Sequence, residues 1–597
     1  MKKVKYLVLM TMIMAFALSC SEDFLTKAPL GEANELNFYD AKGISALLTG
    51  TYAMVGGKGD TYQNWDITWG ASVTNWTFGA IAGGDAYKGS TETDQPPINE
   101  IERWDQQTTN GYAADKWKWY LKGVTRANGV LKVLKGTKDL TAEQATQFEA
   151  ETRFLRGWFN FEAWLVFKNI PIIKEDTPDA SKVPNNVDAM PAIIEDLTYA
   201  MNNLPDLAKQ AEPGRPTKYA AMAVLARAHM QTLNYAAAKP LLDGIISSGK
   251  FSLMTNFFDN FDIANRNNKE SIFEIQRAVG NGSTDGGSAD IGTGLNAPQG
   301  SDIASCCGFF QPSQDLVNAF KVDASGLPLL DNYNQIDLKN DMNVNSGSTY
   351  EEDKITIKVS GVFVPFTDVV DPRLDFTVSR RGIPYMDWGV NRGNDWIRLQ
   401  SNGGPYLPNP KSFYKKSEKG SAAPATGWQG GVSTNNFRYY RYSHILLWRA
   451  EIAASEGKLA EAMDLVNQIR NRAKTGSRVM GLVTTYDLPN QSKITIDLTK
   501  PAANYDVQPY TSFASKDMAM KAVQFEMRLE FAMEGSRFFD LRRWGIAKSV
   551  LNQYAKDDLR TRQFLTGAVV TDKSLLAPIP QTQLDLQPGV LTQNPGY

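Results

Sequence analysis

The chain has 597 residues, of which 42% are hydrophobic, 21% charged and 11% aromatic. Such a composition excludes a disordered chain and a multispan membrane protein, and it allows either several average domains or one helical-repeat body with long insertions. Lys plus Arg number 63 against 65 Asp plus Glu, a formal charge of −2, and no basic run tracks a phosphate backbone, so nucleic acid is not an expected partner.

Lys2, Lys3 and Lys5 precede an apolar run from Tyr6 to Leu18, closed by Ala17-Leu18-Ser19-Cys20. That order reads as a cleaved export signal over residues 1–19. A membrane-spanning helix needs roughly 20 apolar residues, whereas this run meets Ser21-Glu22-Asp23 at once. The approach to Cys20 resembles a bacterial lipobox, with Ala17 where Leu is usual, and makes Cys20 the expected lipidation site. The acidic pair Glu22-Asp23 resembles the surface-export signal of Bacteroides-type lipoproteins.

The first helical stretch runs from Ala41 to Val55 and is broken by Gly56, Gly57 and Gly59. From Asp60 to Gln107 no helical period persists, and Trp65, Trp69, Trp76, Phe78, Tyr87 and Trp104 stand among Gly, Thr and Asp as loop aromatics, candidates for exposure. Helical pattern resumes over Asp115 to Leu134 and Thr141 to Phe167. In the second of these, Phe154, Trp158, Phe161 and Leu165 fall on one face, and Pro171 lies just past the end. Thr217 is placed to cap a helix with Met222, Leu225, Ala226, His229 and Leu233 on its apolar face, and a second helix starts near Tyr235. Ile445, Trp448 and Ile452, a turn at Glu456-Gly457-Lys458, then Leu459, Met463, Val466 and Ala473 repeat the design. Both hairpins have the look of tetratricopeptide units, which must stack to bury their faces.

Residues 280–435 are rich in Gly, Ser, Asn and Pro and read as an elaborated insertion of short strands and loops, carrying Tyr385, Trp388, Trp396, Tyr406 and Trp428. Its vicinal Cys306 and Cys307 would close a strained ring if bonded to each other, so a buried or free pair is expected. No C-x-x-C spacing provides a zinc site, and no metal or other cofactor is expected. Helix returns from Met518 to Glu534, ends at Gly535 and restarts over Arg537 to Trp544, where Arg537, Asp540 and Arg543 form a charge ladder.

At this point the sequence resembles the SusD/RagB family along its whole length. The resemblance is carried by FEMRLEFAMEGSRFFDLRRWG (525–545), APIPQTQLDLQPGVLTQNPGY (577–597), RFLRGWFNFEAWLVFKNIPII (153–173) and GRPTKYAAMAVLARAHM (214–230). It implies a mostly α fold, a tetratricopeptide-like helical-repeat scaffold with a loop-rich, variable C-terminal insertion, divided as residues 20–275 and 276–597 but packed as one body. It also implies a partner and a place: a lipid-anchored protein on the extracellular face of the outer membrane, acting as lid of a SusC-like TonB-dependent transporter. Its ligand would be oligosaccharide, or peptide in the RagB branch.

An enzyme reading has little to stand on. The chain has 2 histidines, His229 on an apolar helix face and His444 entering another helix, and there is no P-loop, G-x-S-x-G or G-x-G-x-x-G. Two carboxylates suffice to hydrolyse a glycoside, so a surface glycoside hydrolase stays as the alternative from a different class. Candidate ligand contacts are Trp76, Trp104, Tyr385, Trp388 and Trp396, read as exposed platforms for the C–H faces of sugars or peptide side chains. Asp85 joins them, in Gly83-Gly84-Asp85, where relatives often carry an acidic pair.

Overall fold

The computed structural model describes residues 38–57, 69–279, 289–299, 306–338, 349–352, 355–358, 366–391, 393–408, 413–423, 431–485 and 494–597. The export signal, Cys20, Trp65 and Trp428 lie outside the described residues.

Helix α1 (Ala41–Tyr52) starts where Asp40 accepts the Gly43 N–H at 2.6 Å. The stretch expected to be an open loop is instead built structure. It holds a π-helix (Trp76–Ile81), strand β1 (Ala86–Gly89) and helix α2 (Pro96–Glu102). Its glycines serve close packing rather than exposed turns: a Cβ on Gly79 would stand 1.6 Å from the Gly535 carbonyl oxygen.

Helices α3 (Gly111–Gly136) and α4 (Ala142–Phe167) follow. Thr141 and Gln144 close a reciprocal capping box at the start of α4. The predicted face of α4 is buried, and Trp158 meets Trp119 edge-on at 5.8 Å between ring centres. α5 (Met190–Asn203), α6 (Lys218–Gln231, capped by Thr217) and α7 (Tyr235–Ser247) continue the stack, each packed on the one before.

Strand β2 (Ser271–Ile275) leads into the insertion. Its described elements include β3 (Phe309–Pro312), helix α8 (Gln314–Ala319), the hairpin β4 (Thr349–Glu352) and β5 (Ile355–Lys358), and the pair β6 (Val378–Ser379) and β7 (Leu407–Pro408), with short helical turns between them. β3 runs antiparallel to β1, tying the insertion to the early chain. The chain then returns as β8 (Phe437–Arg441), antiparallel to β2 with Ile275 opposite Phe437, so the insertion leaves and rejoins the body at one ladder. Cys306 and Cys307 are bonded to each other, where an unbonded pair, buried or free, is expected from the sequence; Cys307 is buried.

The second predicted hairpin is α9 (Tyr442–Ser455) and α10 (Leu459–Thr475), with α9 packed against α7. A hairpin of β9 (Met480–Thr485) and β10 (Thr495–Pro501) precedes α11 (Lys516–Glu530), α12 (Arg537–Arg543) and α13 (Ala547–Asp557). α11 stops four residues short of the predicted end. Met533 at φ +64° and Gly535 at φ +82° turn the chain beneath Thr74, whose carbonyl oxygen would lie 1.8 Å from a Cβ on Gly535. Among the described residues no helix is long and apolar enough to cross a membrane.

One large hydrophobic cluster runs through helices and strands alike. A smaller one belongs to the insertion and contains Tyr385, Trp388, Trp396, Leu407, Phe413 and Tyr414. Behind them lies a buried ion network. Glu530 receives Arg373 at 3.1 Å as well as Arg441 and Arg472, and Glu526 receives Arg373 at 2.7 Å and Arg470 at 2.9 Å. Burial raises the Glu530 carboxyl, but Arg472, Arg441 and Arg373 outweigh it and hold the group well below the usual carboxylate range.

Candidate functional site

The six predicted contacts are all buried, which corrects the expectation of exposed platforms. Trp76 is 1% exposed, donates from Nε1 to the Gly292 carbonyl at 3.0 Å and meets Phe310 edge-on at 5.7 Å. Trp104 donates to the Ala82 carbonyl at 2.8 Å and packs edge-on against Tyr554. Trp388 donates to the Tyr414 carbonyl at 2.9 Å, while Tyr385 and Trp396 pack on each other at 5.8 Å. The physical reason is common to the three indoles that find a backbone acceptor: a loop carbonyl satisfies the single polar atom, and the rest of the ring can then be buried. Asp85 lies under α12, 3.4 Å from Arg537 Nε and 3.6 Å from Arg528 Nε. Burial nonetheless leaves its carboxyl raised above the ordinary value, those two guanidinium groups lowering it only in part.

The predicted charge ladder divides. Asp540 accepts Arg227 at 2.6 Å and Arg543 at 2.7 Å, and Arg543 goes on to Glu451, but Arg537 turns away to Asp85 and the Gly83 carbonyl. His444 stacks on Phe531 at 3.9 Å and accepts the Arg441 N–H at Nδ1. Burial, then Arg441 and Arg227, push its pKa well below the ordinary value, so the ring is neutral.

Of the six, Trp104 lines a void of about 10 Å³, and Trp76 walls a larger cavity where the insertion meets the helical body. This seam cleft, of about 40 Å³, is also lined by Phe310, Phe437, Pro408, Met533 and Asn296. Pro408 follows Leu407 of the small cluster and Asn296 precedes its Ala297, so the insertion supplies one wall and the helical body the other. The two walls are braced by Gly308, whose N–H donates to the Ala297 carbonyl at 2.9 Å and whose carbonyl accepts the Ser90 N–H. Asn296 is 5% exposed, and among the described residues neither its amide oxygen nor its nitrogen has a hydrogen-bond partner. A second cavity of about 40 Å³ shares Thr74, Phe437, Arg438 and Glu534 with the first and continues into the body as far as Glu162. One water needs about 10–15 Å³ of such space, so each cavity holds a few waters or one projecting hydroxymethyl group, not a sugar ring.

Sequence reasoning missed Asn296, Phe310, Phe437 and Met533. Phe437 and Met533 stand in segments whose pattern is that of ordinary core, and nothing in the local sequence marks Asn296 as an unpartnered amide.

The fold is a helical-repeat body carrying a loop-rich insertion, with a narrow cavity where the two meet. A family model described as "SusD family" matches residues 269–597, and one described as "Starch-binding associating with outer membrane" matches 82–230. The chain belongs to the SusD family. It is similar to a SusD-like protein of Bacteroides ovatus, 26% identical over 294 residues, covering 46% of this chain and 50% of that protein. It is also similar to SusD-like protein P25 of Formosa agariphila, 28% identical over 170 residues, covering 28% of this chain and 32% of that protein. These matches span half or less of the curated relatives' lengths. Among solved structures, a SusD superfamily protein from Bacteroides vulgatus matches with a TM-score of 0.65 at 19% identity, over 94% of this chain and 99% of that one. Surface glycan-binding protein A from Bacteroides thetaiotaomicron, in complex with laminarihexaose, matches with a TM-score of 0.60 at 21% identity, over 93% and 99%. At such identities the likeness establishes the fold.

Proposed function

We propose that the chain binds oligosaccharide at the cell surface, held to the outer membrane by a lipid on Cys20 and acting as lid of a SusC-like TonB-dependent transporter. The observation that carries this reading is the likeness of nearly the whole chain to a surface glycan-binding protein, together with membership of the SusD family. In this reading Trp76 faces a ligand group inserted in the seam cleft. Tyr385, Trp388 and Trp396 act by holding the insertion's wall, and Trp104 and Asp85 by holding the segment that carries Trp76. An indole that anchors a ligand contributes about 2 kcal/mol or more, so Trp76→Ala should weaken binding at least roughly tenfold.

Calorimetry against panels of neutral oligosaccharides and of peptides tests the ligand class. Saturable binding of a glycan without release of products supports the reading. Binding of peptides alone replaces it with the RagB-like alternative, and product release makes the chain a hydrolase. The anchor is tested by Cys20→Ala: loss of outer-membrane retention is expected, because attachment needs more than one acyl chain at that cysteine. Recovery of the tagged chain without an outer-membrane barrel, from cells that make one, would overturn the partnership.

A further inference from the structure

A roomier pocket opens at the edge of the helical stack, between the Gly214 turn before α6, the Lys250-Phe251 segment after α7 and the turn into β2. Its volume is about 160 Å³, against about 40 Å³ for each seam cavity. At about 10–15 Å³ per water it takes on the order of ten waters, comparable to the non-hydrogen atoms of one monosaccharide unit. Phe251, Ile272 and Phe273 line its bottom and are buried, the Phe273 ring packed against Phe154, Trp158 and Tyr439 and the Phe251 ring against Tyr219. The rim is fixed in place. Asn267 and Gln276 exchange amide hydrogen bonds at 3.0 and 2.8 Å, and the Glu274 carboxylate accepts the Asn267 N–H at 3.1 Å and the Ser271 hydroxyl at 2.7 Å.

Charge in this pocket is one-sided once the existing pairs are assigned. Glu274 is committed to those donors, to Asn436 and to Arg438 at 3.6 Å. Arg215 is divided between Glu151 and Glu212, each at 2.8 Å. Two ammonium groups remain. Lys250 lies 3.8 Å from Asp206, a carboxylate that Lys218 holds more closely at 2.9 Å, and Lys269 is exposed with no ion pair among the described residues.

We propose that this pocket is a second sugar subsite, selective for an acidic unit that fills it and whose anionic group sits between Lys250 and Lys269. The proposal rests on the oligosaccharide reading and extends its substrate class to glycans that bear a carboxylate or a sulfate. Both ammonium groups are open to solvent, so their attraction is modest and screened by salt.

The test is calorimetry on the full chain and on the double variant Lys250→Gln, Lys269→Gln, which keeps side-chain length and removes both charges. The probes are laminarihexaose, an oligogalacturonate for carboxylate and a carrageenan oligosaccharide for sulfate, each at low and high salt. Expected is binding of at least one acidic probe by the native chain, weakened about tenfold or more in the double variant and by salt, with binding of the neutral probe unchanged. The acidic probe that binds identifies the anion. Equal binding of acidic probes by both proteins overturns the subsite. Binding of the neutral probe alone overturns it while leaving the oligosaccharide reading intact, and no binding of any probe removes both.

Discussion

Trp158 in the helical body and Trp388 in the insertion are both buried, yet they are held by different means. The Trp158 indole N–H has no hydrogen-bond partner among the described residues, and the ring is enclosed by Trp119, Phe159, Phe273 and Tyr439, side chains delivered by helix and strand faces. Trp388 is fastened through its N–H to the Tyr414 carbonyl, flanked by Phe413 and Tyr414, with the Lys419 ammonium 5.9 Å above the ring. The body gains its core from periodic faces that stack. The insertion gains a small core of its own, in which loop backbone must satisfy the polar atoms that aromatics bring inside. A region of that second kind opens more readily, because fewer buried contacts must break at once.

The largest effect expected from breaking this contrast is on the body side. Trp158→Ala leaves a cavity among four rings and should cost about 3–5 kcal/mol, read as a drop in the denaturant midpoint of the whole chain. Unchanged global stability would mean that the body is not one cooperative unit.

Glu530→Gln should follow closely, since removing one partner from a buried ion network leaves arginines uncompensated, at about 3–5 kcal/mol. The Glu530 carboxyl is depressed in the folded state, so the stability it contributes is fully present above its unfolded pKa of about 4.3 and is lost as pH falls below that value. The gap between native and variant chains should therefore narrow on acidification, measured by denaturation at a series of pH values. A gap that widens would contradict the depressed carboxyl.

Trp388→Ala sharpens the comparison from the other side. It should raise amide hydrogen exchange within 378–391, 393–408 and 413–423 while leaving α3, α4, α6 and α9 protected, with a smaller shift of the main unfolding transition than Trp158→Ala produces. Loss of protection throughout would show that the small cluster is an extension of the body. The smallest effect expected is that of Thr141→Ala, which removes the capping box of α4 and should cost about 1 kcal/mol.

The sequence made the helical body legible because its signals are local. Apolar spacing on α4, the caps at Thr141 and Thr217, the start of α7 at Tyr235 and the turn at Glu456-Gly457-Lys458 all stand where the pattern puts them. Those signals depend on residues within one or two turns of each other. The candidate site was far less legible, and the reason is distance along the chain. Whether Trp76 is exposed depends on Gly292 and Phe310, and whether Trp104 is exposed depends on Ala82 and Tyr554, partners that no local spacing predicts. The end of α11 was misread for the same cause, since the constraint on Gly535 comes from Thr74 rather than from its own helix. Sequence alone determined the helical repeats, the family and the composition of the insertion, because periodicity and caps act through nearest neighbours. Only the tertiary structure decided which aromatics are walls, that Asn296 has no partner among the described residues and that Lys250 and Lys269 share one pocket, because burial and pairing are set by segments that meet only after the chain has folded.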